Sequence, residues 1–374
     1  MPLAFRRRAS AWLIPLIAIV GGASAAWSQS PRPALPPIRH VFIIVLENEG
    51  FDSTFRRTSL APYLADTLRR AGAFLREYHG TGHFSLPNYV AMIGGLAPTR
   101  ELQMDCPRYA DFVETGIAPD GQPVGTGCIY PSHVATIGNQ LDARGLTWKA
   151  YMEDMGNDPA REAATCGHPS IGSIDSTQRA TPADQYATKH DPFMYFHAVI
   201  DSASCRRNVV PLPALERALR STNETPNLSF ISPSLCHDGH DRPCRSGEPG
   251  GLESANAFLE HWVPLIVKSR AFRTDGLLII TFDEALSIDA RACCGEPAGP
   301  NVVAPGVNGP GGGRTGAVLL SPFIRPRTVS NKPYNHYSLL RSVEDLFGLD
   351  HLGYAGRRGL MSFGRDVFTR SPAR

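Results

Sequence analysis

Several short segments of the sequence contain side chains that bind cations. Glu47 and Asn48 directly follow one apolar segment, and Asp283 and Glu284 end another. Carboxylate and amide oxygens are hard ligands of the kind that divalent cations prefer. One acid at the end of a strand is more commonly a cap or a turn residue. Two such ends in one chain favour a metal site.

A serine, Ser85, opens the segment "SLPNYVAMIGG", whose apolar spacing predicts a helix with Pro87 in its first turn. A helix N-terminus presents unpaired N–H groups and the positive end of the helix dipole, which together favour a phosphate. Ser85 is therefore either an ordinary helix cap or a nucleophile beside an anion site. His83 and Asn88 are candidates to hold a phosphoryl oxygen, or they build the turn.

A third polar cluster, "CHDGHDRPC", holds Asp238, His240 and Asp241 within four residues, with a glycine that permits a sharp bend. These side chains suit metal binding or acid–base chemistry, although such a string also forms simple hydrogen-bonded turns. The cysteines at both ends, Cys236 and Cys244, predict a disulfide that fixes the loop. The geometry of the loop is therefore expected to matter.

Two long apolar, β-branched segments, residues 40–48 and 275–285, predict strands buried on both faces. Further strands are predicted at 147–153, 227–235 and 315–324, and helices at 60–75, 85–96, 136–145, 255–272 (bent or reset at Pro264) and 335–349. This alternation predicts an α/β fold, a three-layer sandwich with a mostly parallel central sheet. Ligands bind beyond the carboxyl ends of such strands, which is where the acids fall.

The chain order predicts one large domain behind an export signal. Residues 1–28 combine consecutive arginines, an apolar run and small residues, as signal peptides of the Sec or twin-arginine type do, and 29–38 is a Pro-rich, solvated spacer. Residues 39–370 form a single catalytic domain with a loop-rich, cysteine-containing excursion at about 100–210. The Gly/Pro-rich stretch 295–316 is predicted to be a mobile loop near the site.

The cysteines and the charge indicate the compartment and the partners. Eight cysteines in an exported chain predict disulfides, with a connectivity that the sequence leaves open; Cys293 and Cys294 pair with different partners or with each other. The net charge is +2, with no basic run outside the signal, so no nucleic-acid partner is expected. We expect a periplasmic or secreted protein without a stable membrane span after cleavage; a retained signal anchor is the alternative.

Seven segments in order carry a resemblance that spans about residues 39–350. They are "HVFIIVLENEGFDSTF", "HFSLPNYVAMIGG", "IGNQLDARGLTWKAYMEDM", "YATKHDPFMYF", "NLSFISPSLCHDGHD", "DGLLIITFDEA" and "YNHYSLLRSVEDLFGL". Together they resemble the phosphoesterase family, which groups bacterial phospholipases C with acid phosphatases. The resemblance implies an alkaline-phosphatase-like core. The sequence departs from many members at Gly50 and Phe51, which is expected to affect packing rather than the metal.

The resemblance also implies roles for the site residues. Ser85 is the nucleophile, and one divalent, oxygen-preferring metal ion is bound by Glu47, Asn48, Ser85, Asp283 and Glu284. His240, or His336 as the second candidate, protonates the leaving oxygen, with Asp238 or Asp241 orienting the imidazole. His336 otherwise caps its helix. A second metal, held by Asp238, His240 and His336, is the alternative.

The expected function is therefore that of an exported, metal-dependent phosphoesterase. An acid-phosphatase-type phosphomonoesterase that forms a phosphoserine is favoured, with a small phosphorylated substrate or a phospholipid headgroup as its ligand. A phosphodiesterase of phospholipase C type is the first alternative. A catalytically silent protein that binds phosphate or a phosphorylated ligand is the second.

Overall fold

The computed structural model describes residue 1 and residues 35–307, 309–369 and 371. Residues 2–28 of the predicted signal peptide and 29–34 of the predicted spacer lie outside the described residues. Residues Leu35–Arg374 form one compact unit. Pro36 and Ile38 are buried, and Ile38 belongs to the hydrophobic core, so the solvated character expected of the spacer does not extend to its last residues.

Twelve strands lie within the described part of the chain. They are β1 (His40–Leu46), β2 (Ala73–Leu75), β3 (Tyr78–His79), β4 (Val113–Ile117), β5 (Pro123–Thr126), β6 (Trp148–Met152), β7 (Val209–Pro211), β8 (Leu228–Ser232), β9 (Gly276–Phe282), β10 (Ala317–Leu320), β11 (Thr328–Ser330) and β12 (Tyr334–Asn335). Eight form the central sheet in the order β11-β2-β10-β9-β1-β8-β6-β7. Only β10 runs antiparallel to its neighbours, so the predicted mostly parallel sheet is confirmed.

The α-helices among the described residues are α1 (Phe51–Thr54), α2 (Arg69–Ala71), α3 (Ser85–Gly94), α4 (Ile137–Ala143), α5 (His197–Ile200), α6 (Cys205–Asn208), α7 (Ala214–Ala218), α8 (Gly251–Lys268), α9 (Arg270–Asp275) and α10 (His336–Phe347). A π-helical segment, Tyr63–Leu68, leads into α2. No helix of the described chain is both long enough and apolar enough to cross a lipid bilayer.

Alternation along β1 separates two hydrophobic cores, one on each face of the sheet. Val41, Ile43 and Val45 face a core that includes residues of α3, α4 and α10. Phe42 and Ile44 face a second core built with α7, α8 and the π-helical segment. Because successive side chains of a strand point to opposite faces, a fully apolar strand requires helices on both sides. The result is the predicted three-layer α/β sandwich.

The two longest strands end at the same level. β1 and β9 are parallel neighbours in a register that pairs Leu46 with Phe282. The next residue along β9, Asp283, donates its backbone N–H to the Leu46 carbonyl at 2.8 Å. The backbone N–H of Glu47 binds the carbonyl of Asp238, in the loop that follows β8, at 2.7 Å. The register thus brings three separate polar segments to one edge of the sheet.

Two helix predictions differ from the structure at their boundaries. The helix predicted over 60–75 ends before Gly72, and Ala73–Leu75 form β2 instead. A Cβ at Gly72 would lie 2.0 Å from the carbonyl oxygen of Leu319 on β10, so the chain passes too close to that strand to carry any side chain there. The predicted reset at Pro264 occurs later, at Ser269, since α8 continues through the proline.

The excursion at about 100–210 is more than a loop, because it supplies β6 and β7 to the central sheet. It is cross-linked by two disulfides, Cys106–Cys128 and Cys166–Cys205. The predicted bond Cys236–Cys244 closes the "HDGHD" loop. Of the two alternatives for the adjacent cysteines, the structure shows the bond between Cys293 and Cys294. The prediction of disulfides is confirmed.

Candidate active site

A pocket of about 450 Å³ opens where β1 and β9 end and α3 begins. Its lining includes Asn48, Ser85, Lys189, His240 and Glu284. These residues come from five segments that are far apart in sequence, and the sheet register and α3 bring them together. The pocket is therefore a product of the tertiary fold at the carboxyl edge of the sheet, where a site was predicted.

The Ser85 hydroxyl is buried and bonded to a carboxylate. Ser85 is 2% exposed, and its Oγ donates to Glu47 Oε2 at 2.7 Å. The same oxygen accepts the Asn48 Nδ2–H at 2.8 Å. Asn48 adopts a left-handed conformation (φ 53°) and donates its backbone N–H to Asp283 Oδ1 at 3.0 Å. Four of the predicted metal-binding residues are thus directly connected.

The fifth predicted metal-binding residue, Glu284, is hydrogen-bonded to His83. His83 Nδ1 contacts Glu284 Oε2, and Nε2 lies 3.0 Å from the carbonyl oxygen of Asp289. Burial lowers the pKa of His83 and raises that of Glu284 well above its ordinary value. Both pKa shifts are explained if the His83 ring is neutral and the Glu284 carboxyl group is protonated. The ring then donates a hydrogen bond from Nε2 and accepts one from Glu284 at Nδ1. His83 therefore orients Glu284 rather than pointing at a phosphoryl oxygen.

Asn88 serves the turn before Ser85. Its Oδ1 accepts the backbone N–H groups of Thr81 and Gly82 at 2.8 and 3.0 Å. Its Nδ2 donates to the carbonyls of Gly82 and Phe84, both at 2.9 Å. With all of its polar atoms engaged, Asn88 has no donor left for a substrate. Of the two interpretations of this residue, the structure supports the one in which it builds the turn.

The free N–H groups expected at the start of α3 are largely consumed. Leu86 donates its N–H to Asp105 Oδ1 at 3.0 Å, and Pro87 has no N–H. Asp105 Oδ2 lies 3.0 Å from Lys189 Nζ, whose side chain is 12% exposed and lines the pocket. Although burial opposes its charge, Asp105 and Glu47 hold the pKa of Lys189 above its ordinary value. Lys189 is thus a fixed cation beside Ser85.

His190 lies between the segments that end β1 and follow β8. Its Nε2 is 3.1 Å from Glu47 Oε1, and its Nδ1 is 3.4 Å from Asp238 Oδ2. Neither pair is aligned as a hydrogen bond, so these buried atoms have no partner. The ring stacks on Tyr89, with the centroids 5.3 Å apart. The polar run Lys189-His190-Asp191 before the apolar "PFMYF" was a signal for Lys189 and His190, whereas Asp105 carried none.

The Asp-Gly-His-Asp loop presents an imidazole to the pocket. Asp238 is fully buried, and its Oδ1 accepts the backbone N–H of His240 at 2.8 Å. The His240 side chain is 45% exposed, and its Nδ1 lies 2.9 Å from Asp241 Oδ1. The bond to Asp241 outweighs the effect of burial and raises the pKa of His240 to about 9. A histidine protonated at neutral pH therefore stands at the pocket mouth.

His336 does not line the pocket. It is fully buried at the start of α10, where its Nδ1 contacts the Tyr78 hydroxyl at 3.1 Å and its Nε2 contacts the Asp283 carbonyl. Burial lowers its pKa to about 4, so the ring is neutral. The helix cap is Asn335, not His336. Because both ring nitrogens are engaged, His336 is unsuited to act as the acid or to bind a second metal.

The buried carboxyl groups of this site have too little positive charge around them to compensate their ionised forms. Glu47, Asp238, Asp283 and Glu284 are each at most 4% exposed. Burial, reinforced by Asp283, raises the pKa of Glu47 to about 8, and burial raises that of Asp283 well above its ordinary value. Buried carboxylates behave in this way when no cation compensates them.

This donor set fits a divalent cation. Three carboxylate oxygens, on Glu47, Asp238 and Asp283, are buried without a hydrogen-bond partner. Unpartnered buried oxygens are costly, and a hard cation would satisfy them. Among the described residues, the groups of His, Cys, Asp and Glu whose potential ligand atoms all lie within 4.8 Å of one another are one around Cys236 and one around Cys293, and neither belongs to this site. Their cysteines are bonded in disulfides, so they offer no thiolates.

The sheet and the pocket at its carboxyl edge define an alkaline-phosphatase-like α/β protein. A solved structure of a protein in the alkaline phosphatase superfamily from Vibrio parahaemolyticus aligns with a TM-score of 0.50 at 15% identity, covering 88% of this chain and 72% of that chain. Within that class, the chain belongs to the phosphoesterase family, whose model matches residues 57–350. The predicted family and fold are confirmed.

Several relatives of the chain carry phosphatase names. The chain is 24% identical to a probable acid phosphatase of Kluyveromyces lactis and 26% identical to a phosphate-repressible acid phosphatase of Penicillium chrysogenum, covering 84% and 83% of this chain. It spans 59% of the length of each of those two proteins. It is also 24% identical to a phosphatidylinositol-3-phosphatase of Mycobacterium tuberculosis, covering 86% of this chain and 81% of that protein.

Proposed function

We propose that this protein is an exported, metal-dependent phosphoesterase of acid-phosphatase type that hydrolyses phosphate monoesters through a phosphoserine at Ser85. The observation that carries the proposal is the buried Ser85 hydroxyl, 2.7 Å from Glu47, in a pocket lined by carboxylates, a lysine and a histidine. The phosphatase names of its relatives support the same reaction class.

In this proposal, one divalent cation is held by Glu47, Asn48, Ser85, Asp283 and Glu284. When bound, the cation lowers the pKa of the Ser85 hydroxyl and stabilises charge on the phosphoryl oxygens. The hydrogen bond to Glu47 already fixes the hydroxyl. Lys189 supplies a second, permanent positive charge on the same side of the pocket, where a phosphate dianion needs one.

Ser85 gives its hydroxyl proton to Glu47, which already accepts its hydrogen bond, and attacks phosphorus as the P–O bond to the leaving alcohol breaks; Glu47 returns this proton to Ser85 when the phosphoserine is hydrolysed. His240 is protonated at neutral pH and stands at the pocket mouth, so it gives its proton to the leaving oxygen. Asp241 accepts the other ring N–H and holds the ring in place. The neutral His240 then takes a proton from the water that hydrolyses the phosphoserine. His83 orients the Glu284 carboxyl group, and His190 lies between the carboxyl groups of Glu47 and Asp238.

The decisive experiment compares two serines at this pocket. Ser85→Ala is expected to lower turnover of p-nitrophenyl phosphate by at least about 10³-fold, whereas Ser287→Ala, which removes an exposed hydroxyl of the same pocket, should retain most of the activity. Acid-quenched wild-type enzyme should carry phosphate on Ser85 by mass spectrometry. Wild-type turnover in Ser85→Ala would eliminate the phosphoserine mechanism.

The same preparation distinguishes the competing functions. p-Nitrophenyl phosphorylcholine is a diester, and faster hydrolysis of it than of the monoester would make the protein a phospholipase C-type enzyme. Phosphate binding without turnover of either ester would identify a binding protein. Export is proposed from the four disulfides and the N-terminal sequence, and N-terminal sequencing of exported material tests the cleavage.

A further inference from the structure

Residues 299–307, here called the groove segment, are fixed beside the catalytic pocket rather than mobile as the glycines and prolines suggest. Gln103 Nε2 donates to the carbonyls of Ala304 and Pro305 at 2.8 and 2.9 Å. The Asn301 side chain accepts the Gly125 N–H at 3.0 Å and donates to the Pro123 carbonyl at 2.9 Å. The Gln103 bonds satisfy two backbone carbonyls of the segment, and the Asn301 bonds attach the segment to the backbone of β5.

The groove segment also packs on the turn that carries the nucleophile. A Cβ at Gly82, three residues before Ser85, would lie 2.6 Å from the carbonyl oxygen of Pro305. Only glycine permits two backbones to approach so closely. The position of the groove segment is therefore coupled to the position of Ser85.

With its backbone so anchored, the groove segment turns apolar side chains outward. Val303 is fully exposed, and Val307 is 50% exposed. Phe84, the neighbour of Ser85, is 39% exposed and adopts a left-handed conformation (φ 68°) that is strained for a bulky residue. Strain of this kind persists where the surroundings enforce it, and it keeps the ring at the pocket mouth.

Two cavities meet at Val307. Phe84 and Val307 line the pocket that holds Ser85, and Val307 also lines a second cavity of about 540 Å³. Val302, Val303 and Ala304 form one wall of this second cavity. The polar catalytic pocket thus continues outward into a groove with an apolar wall. Exposed apolar side chains gathered at a pocket are typical of ligand-binding grooves.

We infer that this groove is the leaving-group subsite, and that the preferred substrates are phosphate esters of apolar alcohols with an extended chain. The inference rests on the proposed function. The buried polar pocket takes the phosphoryl group, and the alcohol carbons next to the ester oxygen contact Phe84 and Val307. Further carbons lie along Val303. Arg100, Gln103 and Asn301 also line the groove, so the apolar preference applies where the alcohol lies against Phe84, Val303 and Val307; a hydroxyl placed there would lack a partner, at a cost in affinity.

Straight-chain alkyl phosphates from ethyl to octyl phosphate, each below the concentration at which it aggregates, test the subsite. Wild-type kcat/KM should rise about twofold to fourfold per methylene, and by about tenfold or more from ethyl to hexyl phosphate. Val303→Ser and Val307→Ser should each lower the hexyl-to-ethyl ratio. Val329→Ser, which changes an exposed valine on the edge strand β11, is the matched control and should keep the wild-type ratio.

A second readout separates this inference from the proposed function. Alkylphosphonates of the same lengths bind without being hydrolysed, and their Kd from calorimetry should fall with chain length even if no ester is turned over. Failure of all ester hydrolysis would overturn the function, whereas chain-length-independent kcat/KM and Kd would overturn the subsite. A flat series in which Val303→Ser shifts the elution volume would show instead that this surface joins two copies of the chain.

Discussion

Ser85 is surrounded by groups that have been removed from water, and their charges govern its chemistry. Glu47 accepts its hydrogen bond, Lys189 supplies a fixed positive charge, and the bond to Asp241 raises the pKa of His240 to about 9. None of these residues is adjacent to Ser85 in sequence. Burial determines the protonation of Glu47, because in water this carboxyl group would be ionised at neutral pH.

Because the pKa of Glu47 is raised to about 8, metal binding is expected to release protons. The affinity for Mn²⁺ should fall as pH decreases from 8 to 6, by up to about tenfold per pH unit for each proton displaced. Without metal, the folded chain binds more protons than the unfolded chain between about pH 4.5 and 8. The free energy of unfolding of the metal-free protein should therefore fall as pH rises through that window.

Calorimetric titration of metal-free protein in two buffers of different ionisation enthalpy counts these protons. A count of zero at pH 7 would show that Glu47 is already ionised. Glu49, which is half-buried and has its own raised pKa, provides the comparison, since Glu49→Gln removes a nearby carboxylate that lies outside the predicted ligand set. The proton count should persist in that variant and decrease in Glu47→Gln.

Lys189 is expected to contribute to turnover through its charge. Lys189→Met should lower kcat/KM for p-nitrophenyl phosphate by about 10²-fold or more, because a preorganised cation beside the phosphoryl group is lost. Lys149→Met changes a lysine on β6 that bonds the Arg207 carbonyl, and it is the matched control. Steady-state kinetics measure both, and a Lys189→Met enzyme within twofold of wild type would contradict the role.

The strands and α3 act as the frame for these side chains. The register that pairs Leu46 with Phe282 sets the two acidic segments that follow these strands side by side. Every residue of α3 is buried, so the helix that begins at Ser85 is held rigidly between the sheet and its neighbours. Asp105 accepts the N–H of Leu86, the second residue of the helix. Lys189 adds a fixed positive charge to that of the helix dipole at this end of the helix.

Gly82→Ala tests the contact between the catalytic turn and the groove segment. The added methyl group would meet the Pro305 carbonyl at 2.6 Å, so one of the two backbones must move. We expect a loss of about 1–3 kcal/mol in the free energy of unfolding together with reduced kcat. Gly116→Ala, whose Cβ would meet nothing within 4 Å, is the control. Urea unfolding and turnover are measured on both; equal behaviour of the two variants would refute the contact.

The excursion at about 100–210 links the whole molecule, because it completes the sheet with β6 and β7, supplies Asp105 and Lys189 to the pocket, and places His190 against Glu47. The disulfides Cys106–Cys128 and Cys166–Cys205 lie within it. Cross-links of this kind favour the fold by restricting the unfolded chain. The activity and the stability of the protein are therefore expected to depend on the oxidised state of the excursion.

The cost of removing a disulfide is expected to follow the length of the loop that it closes. Cys166–Cys205 spans 39 residues, whereas Cys236–Cys244 spans 8. Replacing each pair by serines should lower the free energy of unfolding by about 4 and about 2.5 kcal/mol, respectively. Denaturant unfolding at one pH measures both. A larger loss for the shorter loop would show that native contacts, rather than chain entropy, dominate.

Long apolar patterns made the main strands and helices predictable. β1, β9 and α3 follow from apolar patterns long enough to outweigh other preferences, and the acids after β1 and β9 indicated the edge of the sheet that carries the pocket. β2 and β11 did not follow, because strands of three residues carry too little pattern and form only through pairing with distant partners. Gly72, which lies inside the helix predicted over 60–75, must be a glycine because β10 passes too close for a side chain.

The sequence by itself determined the family and the α/β architecture, and it predicted Glu47, Asn48, Ser85, Asp283 and Glu284 as one group. These depend on local patterns and on motifs in a fixed order. Only the tertiary structure decided how the remaining polar residues divide between the pocket and its support. Asn88 and both ring nitrogens of His336 form hydrogen bonds outside the pocket. Asp105, Lys189 and His190 instead lie near Ser85 and its partner Glu47. The physical reason is that burial and hydrogen-bond partners come from segments distant in sequence.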